Sequence, residues 1–263
     1  PALSVQMKEL EILIGAPLIE RNARQIRLTS LGEAMAERAR DILRRVDEIE
    51  DLARTGRGPL AGHLRIGIIP TVAPYLLPDV IKGLTKLFPN LEVRPRETIT
   101  QTLLKEMLDG RLDVAIVALP LSEPSLHEEQ LFDEEFVLVR PKSDAGKPAP
   151  NPEALREMRL LLLEEGHCFR DQALSFCSMP ESPPRELMEG SSLSTLVQMV
   201  GAGIGVTLIP EMAVPLETRS ADVDVVHFEK SQPRRNIGMI WRKTRIWKRP
   251  RWRMLSRLLN GGE

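Results

Sequence analysis

Cysteine is scarce in this sequence: its 263 residues contain two. Two are too few for the disulfide framework of a small secreted domain, which points to a reducing cytoplasm. An excess of charge is missing too. Lys and Arg number 36 against 37 Asp and Glu, a net charge of −1, so any contact with nucleic acid must rest on local patches. No apolar run approaches the length of a membrane span and no signal-like stretch opens the chain, so no membrane association is expected. The two cysteines and four scattered histidines make no zinc pattern. No GxxxxGK[ST] phosphate loop occurs, and no cofactor or metal is expected. What remains is an ordinary soluble mixture, 42% hydrophobic and 28% charged, long enough for one or two domains with a substantial core.

The opening stretch is "PALSVQMKELEILIGAPLIERNARQIRLTSLGE", with no initiator methionine. Pro1 suits a first helical turn. Leu3, Met7, Leu10 and Ile14 follow at helical spacing, and Gly15 is a stop signal. After Pro17, "ERNARQIRLT" reads as a short strand, a turn near Asn22 and a second strand over Ile26 to Leu28. A helix followed by a small basic hairpin is the back half of a winged helix-turn-helix, whose second helix enters the major groove by its N-terminal residues. Ser4, Gln6 and Lys8 suit base edges or phosphates of double-stranded DNA, and Arg21, Arg24 and Arg27 suit its backbone. A short amphipathic helix and a solvated turn account for the same residues equally well. Residues 1–29 form this partial domain.

Residues 30–56 read as one long helix. Ser30 and Glu33 have capping-box spacing, and Thr29 is an equally good N-cap. Leu31, Met35, Ala39, Ile42, Val46, Ile49 and Ala53 then recur at steps of four and three, a narrow seam with charges on the other faces. So thin an apolar stripe predicts pairing with a second copy of the chain. "TGRGPLAGH" breaks the helix and marks a linker.

From residue 57 onward the pattern is αβ. "LRIGII", "LEVRP" and "LDVAIVAL" read as strands, and "PYLLPDVIKGLTKLF" and "TQTLLKEMLDG" as helices, giving βαβ units and a parallel sheet. Thr71 follows the first strand and Thr100 the second, so both face the crevice at the strands' carboxyl ends. Either threonine read alone is equally well a loop or capping residue. A second unit follows, with strands at "EFVLVRP" and "LLLLEEG", a helix at "SLSTLVQMVGAG" and a strand at "GIGVTLIP". The glycines of "GAGIGV" end a helix and open a strand, the reverse of the order a dinucleotide site needs, and read as a C-cap and turn. "RRNIGMIWR" reads as a strand returning to the first subdomain. The expected division is about 62–133 with 238–263 for subdomain I and about 134–237 for subdomain II.

Both cysteines lie in "GHCFRDQALSFC". "RDQALSF" has the makings of a short helix, with Cys168 near its N-terminus. That position, and cations such as Arg170, favour the thiolate. His167 can donate a hydrogen bond or carry charge. Two small buried hydrophobes are the plainer reading of such a pair.

The order of elements, with "PALSVQMKELE", "PLIERNARQIRLTSLGE" and "GAGIGVTLIP", resembles the LysR-type transcriptional regulators over essentially the whole chain. "GHCFRDQALSFC", "IPTVAPYLLP" and "LFDE" resemble the hydrogen peroxide-sensing branch of that family. Family members usually begin earlier, with the first helices of the DNA-binding domain. The resemblance implies a winged helix, a linker helix and a periplasmic-binding-protein-like regulatory domain of two αβ subdomains. It implies that Cys168 reacts with peroxide to a sulfenic acid, that Cys177 resolves it to a disulfide, and that antioxidant genes are switched in consequence. Thr71 and Thr100 would hold peroxide from the first subdomain, His167 and Asp171 from the second, and Arg235 would lie near the thiol. It also implies a dimer or tetramer, contact with RNA polymerase and a glutaredoxin- or thioredoxin-type reductant. A regulator of this family answering a small metabolite, with incidental cysteines, is the alternative. A thiol peroxidase is a second one, against which stand the wing arginines and the seam helix. No enzymatic turnover is expected.

Overall fold

The computed structural model describes residues 2–22, 25–55, 62–177, 188–228 and 232–243. Pro1, Arg24, most of the expected linker and the tail from 244 lie outside them, as do the side chains of Arg21 and Ala53. The chain divides into two compact units, Pro1–Gly58 with Asp109–Arg111, and Pro59–Leu108 with Leu112–Glu263.

In the first unit, α1 (Ala2–Ile14) is followed by a hairpin of β1 (Ile19–Asn22) and β2 (Gln25–Leu28), paired antiparallel. Gly15 takes a positive φ of 77° after the last helical turn, the conformation that ends helices cheaply only at glycine. The Glu11 carboxylate accepts from the backbone N–H groups of Leu18 and Ile19 and ties the helix to the hairpin. α2 (Ser30–Thr55) comes next. Its N-cap is Thr29, whose hydroxyl accepts from the Gly32 N–H at 3.0 Å and donates to the Pro17 carbonyl. Gly32 approaches the Leu18 carbonyl so closely that a Cβ there would lie 2.1 Å from its oxygen. Along the seam Leu31 is 42% exposed, Ile42 63%, Val46 48% and Ile49 65%, so these four residues of the stripe stand open among the described residues.

The second unit holds β3 (Gly62–Ile68), α3 (Ala73–Leu87), β4 (Leu91–Glu97), α4 (Thr100–Leu108), β5 (Val114–Leu119) and β6 (Leu126–Pro141). Then follow α5 (Pro152–Glu157), β7 (Leu162–Leu163), α6 (Cys168–Phe176), β8 (Glu189–Gly190), α7 (Leu193–Gly201), β9 (Thr207–Pro210), α8 (Val214–Glu217), β10 (Val223–Val226) and β11 (Arg234–Arg242). The seven-stranded sheet runs β10-β6-β11-β5-β3-β4, with β9 also on β6. β3, β4 and β5 are parallel, as βαβ units require, and β11 returns antiparallel beside β5.

β6 is longer than its apolar "EFVLVRP" stretch suggests. Its first part, Leu126 to Glu135, pairs with β11, and its last part, Phe136 to Pro141, with β9 and β10. One strand therefore serves two hydrophobic clusters. The first gathers Leu64, Ile66, Ile68, Leu103, Met107, Val114 and Ile240. The second gathers Phe136, Val137, Leu161, Phe169, Leu174, Leu196 and Leu208. These clusters are the cores of two subdomains. Among the described residues no helix is long and apolar enough to cross a membrane.

The turn into β9 is fixed by close backbone contact. A Cβ on Gly205 would lie 2.3 Å from the Arg159 carbonyl oxygen, which accepts from Val206 N–H at 2.9 Å. Gly205→Ala must push that bridge apart, and should lower stability by about 1–3 kcal/mol. The urea midpoint measures this, and an unchanged midpoint would show that the bridge yields without cost.

Candidate functional site

Helix α6 carries both thiols. His167 is its N-cap, Cys168 its first residue and Cys177 its C-cap, with Cys177 N–H bonded to the Ala173 carbonyl. Both thiols are free. Their surroundings differ: Cys168 is half-buried and packs against the first hydrophobic cluster, whereas Cys177 is fully buried in the second. Nine residues of helix separate them by roughly 13 Å along the axis. Cys168 therefore sits at the N-terminal end of α6, where the first backbone N–H groups have no partner within the helix. Burial pushes the Cys177 thiol up to about 11, against a smaller opposing effect of the Arg156 charge.

Gly166, with φ of 93°, brings the chain into α6 against the first subdomain: a Cβ there would lie 2.9 Å from the Ile99 side chain. Ile99 adjoins Thr100, whose Oγ1 is buried with no hydrogen-bond partner among the described residues. A buried unpartnered hydroxyl is costly unless something else satisfies it. Thr71 is also buried, and its Oγ1 accepts from Arg235 Nη1 at 2.7 Å, which leaves its own proton to donate.

Arg235 is the hub of the arrangement. It donates to the Thr71 carbonyl as well and pairs with Glu134 at 2.6 Å, the two side chains being 0% and 4% exposed. Its guanidinium lies 5.9 Å from the Phe136 ring centroid and 5.4 Å from that of Phe169, the residue after Cys168. Burial raises the pKa of the Glu134 carboxyl while the Arg235 charge opposes the rise. Arg170 is turned to a different task. Its Nη1 donates to the Leu163 carbonyl at 2.8 Å and to Glu189 at 2.6 Å, so it anchors α6 to β7 and β8. Asp171 lies in the first turn of α6 and is exposed.

Thr71 and His167 line one cleft of about 110 Å³, with Tyr75, Glu97, Ser194 and Glu217 among its other walls. Burial lowers the pKa of His167 below its ordinary value, with Glu164 opposing. Burial thus disfavours the imidazolium and favours the neutral ring, which can donate and accept. Thr100, Cys168 and Asp171 are not among the lining residues of that cleft. Sequence reasoning missed Glu134, Tyr75, Ser194 and Glu217. Tyr75, the one tyrosine of the chain, carried a signal, since a lone aromatic with a polar tip seeks a partner when buried. In the first unit Ser4, Gln6 and Lys8 are exposed on α1, and Arg27 is exposed on the hairpin. Among the described residues no cluster of three or more His, Cys, Asp or Glu side chains could hold a metal ion.

Two αβ subdomains sharing β6, with a polar cleft and a helix-terminal thiol at their seam, define a small-ligand-sensing regulatory domain. The family model of the LysR substrate binding domain matches residues 57–251. A probable hydrogen peroxide-inducible genes activator of Streptomyces viridosporus is 42% identical over 246 residues, 92% of this chain and 79% of that one. The DNA-binding transcriptional dual regulator OxyR of Escherichia coli (strain K12) is 38% identical over 244 residues, 92% of this chain and 80% of that one. Among solved structures, a full-length cysteine-to-aspartate variant of Pseudomonas aeruginosa OxyR matches with a TM-score of 0.76 and 33% identity over 100% of this chain and 89% of that one. A hydrogen peroxide-bound cysteine-to-serine variant of Corynebacterium glutamicum OxyR matches with a TM-score of 0.74 and 33% identity, covering 99% and 83%. The chain belongs to the LysR family, and within it to the OxyR branch.

The unequal burial of the thiols gives a direct expectation. Limited iodoacetamide treatment of the reduced protein at pH 7 should label Cys168 well before Cys177, because the latter is both inaccessible and a protonated thiol until about pH 11. Peptide mass spectrometry reads the order. Equal labelling would mean that α6 opens freely in the reduced state.

Proposed function

We propose that this chain is a DNA-binding transcriptional regulator that detects hydrogen peroxide through Cys168 and Cys177. The observation that carries the reading is the placement of two free thiols at opposite ends of one helix, one half-buried beside polar groups and the other fully buried. Relatives named as hydrogen peroxide-inducible genes activators support it.

The Cys168 thiolate attacks one peroxide oxygen. The O–O bond breaks, the sulfur takes up that oxygen as a sulfenic acid, and the leaving hydroxide takes a proton to become water. Thr71 and Thr100 offer hydroxyls to a ligand that both donates and accepts, and neutral His167 does the same from the second subdomain. Asp171 borders the reactive turn. Arg235, over Phe169, adds positive potential near it. Cys177 then loses its proton and its thiolate attacks the sulfenic sulfur; the S–S bond forms as the S–O bond breaks, and the departing hydroxide takes up that proton to leave as a second water. That step needs Cys177 out of its buried pocket, since burial holds its proton on. Formation of the disulfide therefore follows opening of the C-terminal end of α6.

The output runs through the first unit. Ser4, Gln6 and Lys8 face solvent on α1 to meet base edges or phosphates, and Arg27 is exposed on the hairpin for the DNA backbone. Arg21 and Arg24 are assigned to the same backbone contacts from the sequence alone. The exposed seam of α2 pairs with that of a second copy, giving a dimer and, by family likeness, a tetramer. Contact with RNA polymerase and reduction by a glutaredoxin- or thioredoxin-type partner belong to the same reading, as does a cytoplasmic setting.

Stoichiometric peroxide should give a mass-spectrometric Cys168–Cys177 link in the wild-type protein and none in Cys168→Ser. Cys177→Ser should consume the first peroxide and stall as a dimedone-reactive sulfenic acid on Cys168. A dimedone adduct mainly on Cys177 in the wild type would reverse the assignment. Separately, Ile42→Asp places a charge in the seam and should break the assembly in sedimentation. An unchanged assembly would show that α2 is not the pairing surface.

A further inference from the structure

The cleft carrying Thr71 and His167 is closed on one wall by a hydrogen bond that the chemistry above does not use. Tyr75 lies in the first turn of α3, a helix of the first subdomain, yet its ring packs against the second hydrophobic cluster. Its hydroxyl donates to Glu217 Oε1 at 2.6 Å. Glu217 is the last residue of α8 and is 8% exposed. Its other oxygen accepts from the Ser194 hydroxyl in the first turn of α7. Two hydroxyls thus satisfy a buried carboxylate, and they come from different subdomains. Burial first, and then the bond to Glu217, hold the Tyr75 phenol far above its ordinary pKa, so it remains a donor.

Thr71 lies only one helical turn before Tyr75 in sequence. Arg235 fastens Thr71, and Glu217 fastens Tyr75, so the entry to α3 is pinned at two points. Removing the Tyr75 pin leaves the entry to α3 held at Thr71 alone and loosens the spacing of Thr71 relative to His167. Peroxide offers few atoms to hold, so its orientation at the sulfur depends on the spacing of these groups, and small displacements in such an arrangement cost rate heavily.

We propose that Tyr75 and Glu217 form an inter-subdomain latch that sets the spacing of Thr71 and His167 and so governs the rate at which peroxide oxidises Cys168. Both are positioning residues that act through Thr71 and His167. The latch acts on the geometry around peroxide and not on the thiol's acidity. The proposal rests on the peroxide reading of the site.

The test compares the wild-type chain with Tyr75→Phe, Glu217→Ala and Glu217→Gln. Each is assayed for the second-order rate of Cys168 oxidation by peroxide and for the pH profile of Cys168 alkylation by iodoacetamide. Tyr75→Phe keeps the ring in its packing and deletes only the donor. It should oxidise about ten-fold more slowly, the scale of one lost hydrogen bond to a charged group. Its alkylation profile should match the wild type. Glu217→Ala should be at least as slow, and Glu217→Gln, which retains an oxygen acceptor for Tyr75, should recover most of the rate. An unchanged oxidation rate in Tyr75→Phe would overturn the latch, as would a parallel fall in alkylation. A wild-type Cys168 that does not react with peroxide overturns the underlying reading together with it.

Discussion

A disulfide requires Cα atoms within about 4.4–6.8 Å, and an intact α6 holds those of Cys168 and Cys177 roughly 13 Å apart. The reduced helix and the disulfide are mutually exclusive. Each thiol is also packed in a different hydrophobic cluster, Cys168 against the first and Cys177 within the second. Bonding them must therefore dismantle packing as well as helix. Phe169, Leu174 and Phe176 share the segment; the first two are core residues, and Phe176 meets Phe228 edge-on at 5.1 Å. A short segment with two incompatible packings is the kind of bistable element that converts a local covalent event into a change of surface.

The reduced state is held by contacts that converge on the start of that helix. Arg170 ties it to β7 and β8 through Leu163 and Glu189. Arg235 reaches it through Phe169 while binding Thr71 in the first subdomain and Glu134 on β6. A buried guanidinium with so complete a set of partners is expensive to strand, and breaking such a pair costs more than forming it gains. Movement of Phe169 would uncover one face of Arg235. Arg235 in this way links the α6 segment to the seam between subdomains.

Much of this was legible from residue order. Helical spacing and apolar runs gave the alternation of strands and helices, because those patterns are set by local burial. The first part of β6 was not legible: "HEEQLFDEE" is mostly charged, and only its place beside β11 makes it a strand. Thr29 and Ser30 are adjacent hydroxyls, and only the backbone path decides that Thr29 caps α2. Cys168 was readable as a helix-terminal thiol. The direction of Arg170 was not, since its partner Glu189 is distant in sequence. The same holds for Glu134 with Arg235 and for Tyr75 with Glu217. Pairs closed by tertiary structure leave no periodic trace.

The central claim is that forming the disulfide unfolds α6, and amide hydrogen exchange over Phe169 to Cys177 tests it most directly. In the reduced protein these amides should be protected by the helix and by the second cluster. After oxidation, with the Cys168–Cys177 bond verified by mass, the same amides should exchange markedly faster while those of β5 and β11 stay unchanged. Equal protection of the segment in both states, with the disulfide formed, would mean the thiols meet without unwinding the helix and would contradict the account.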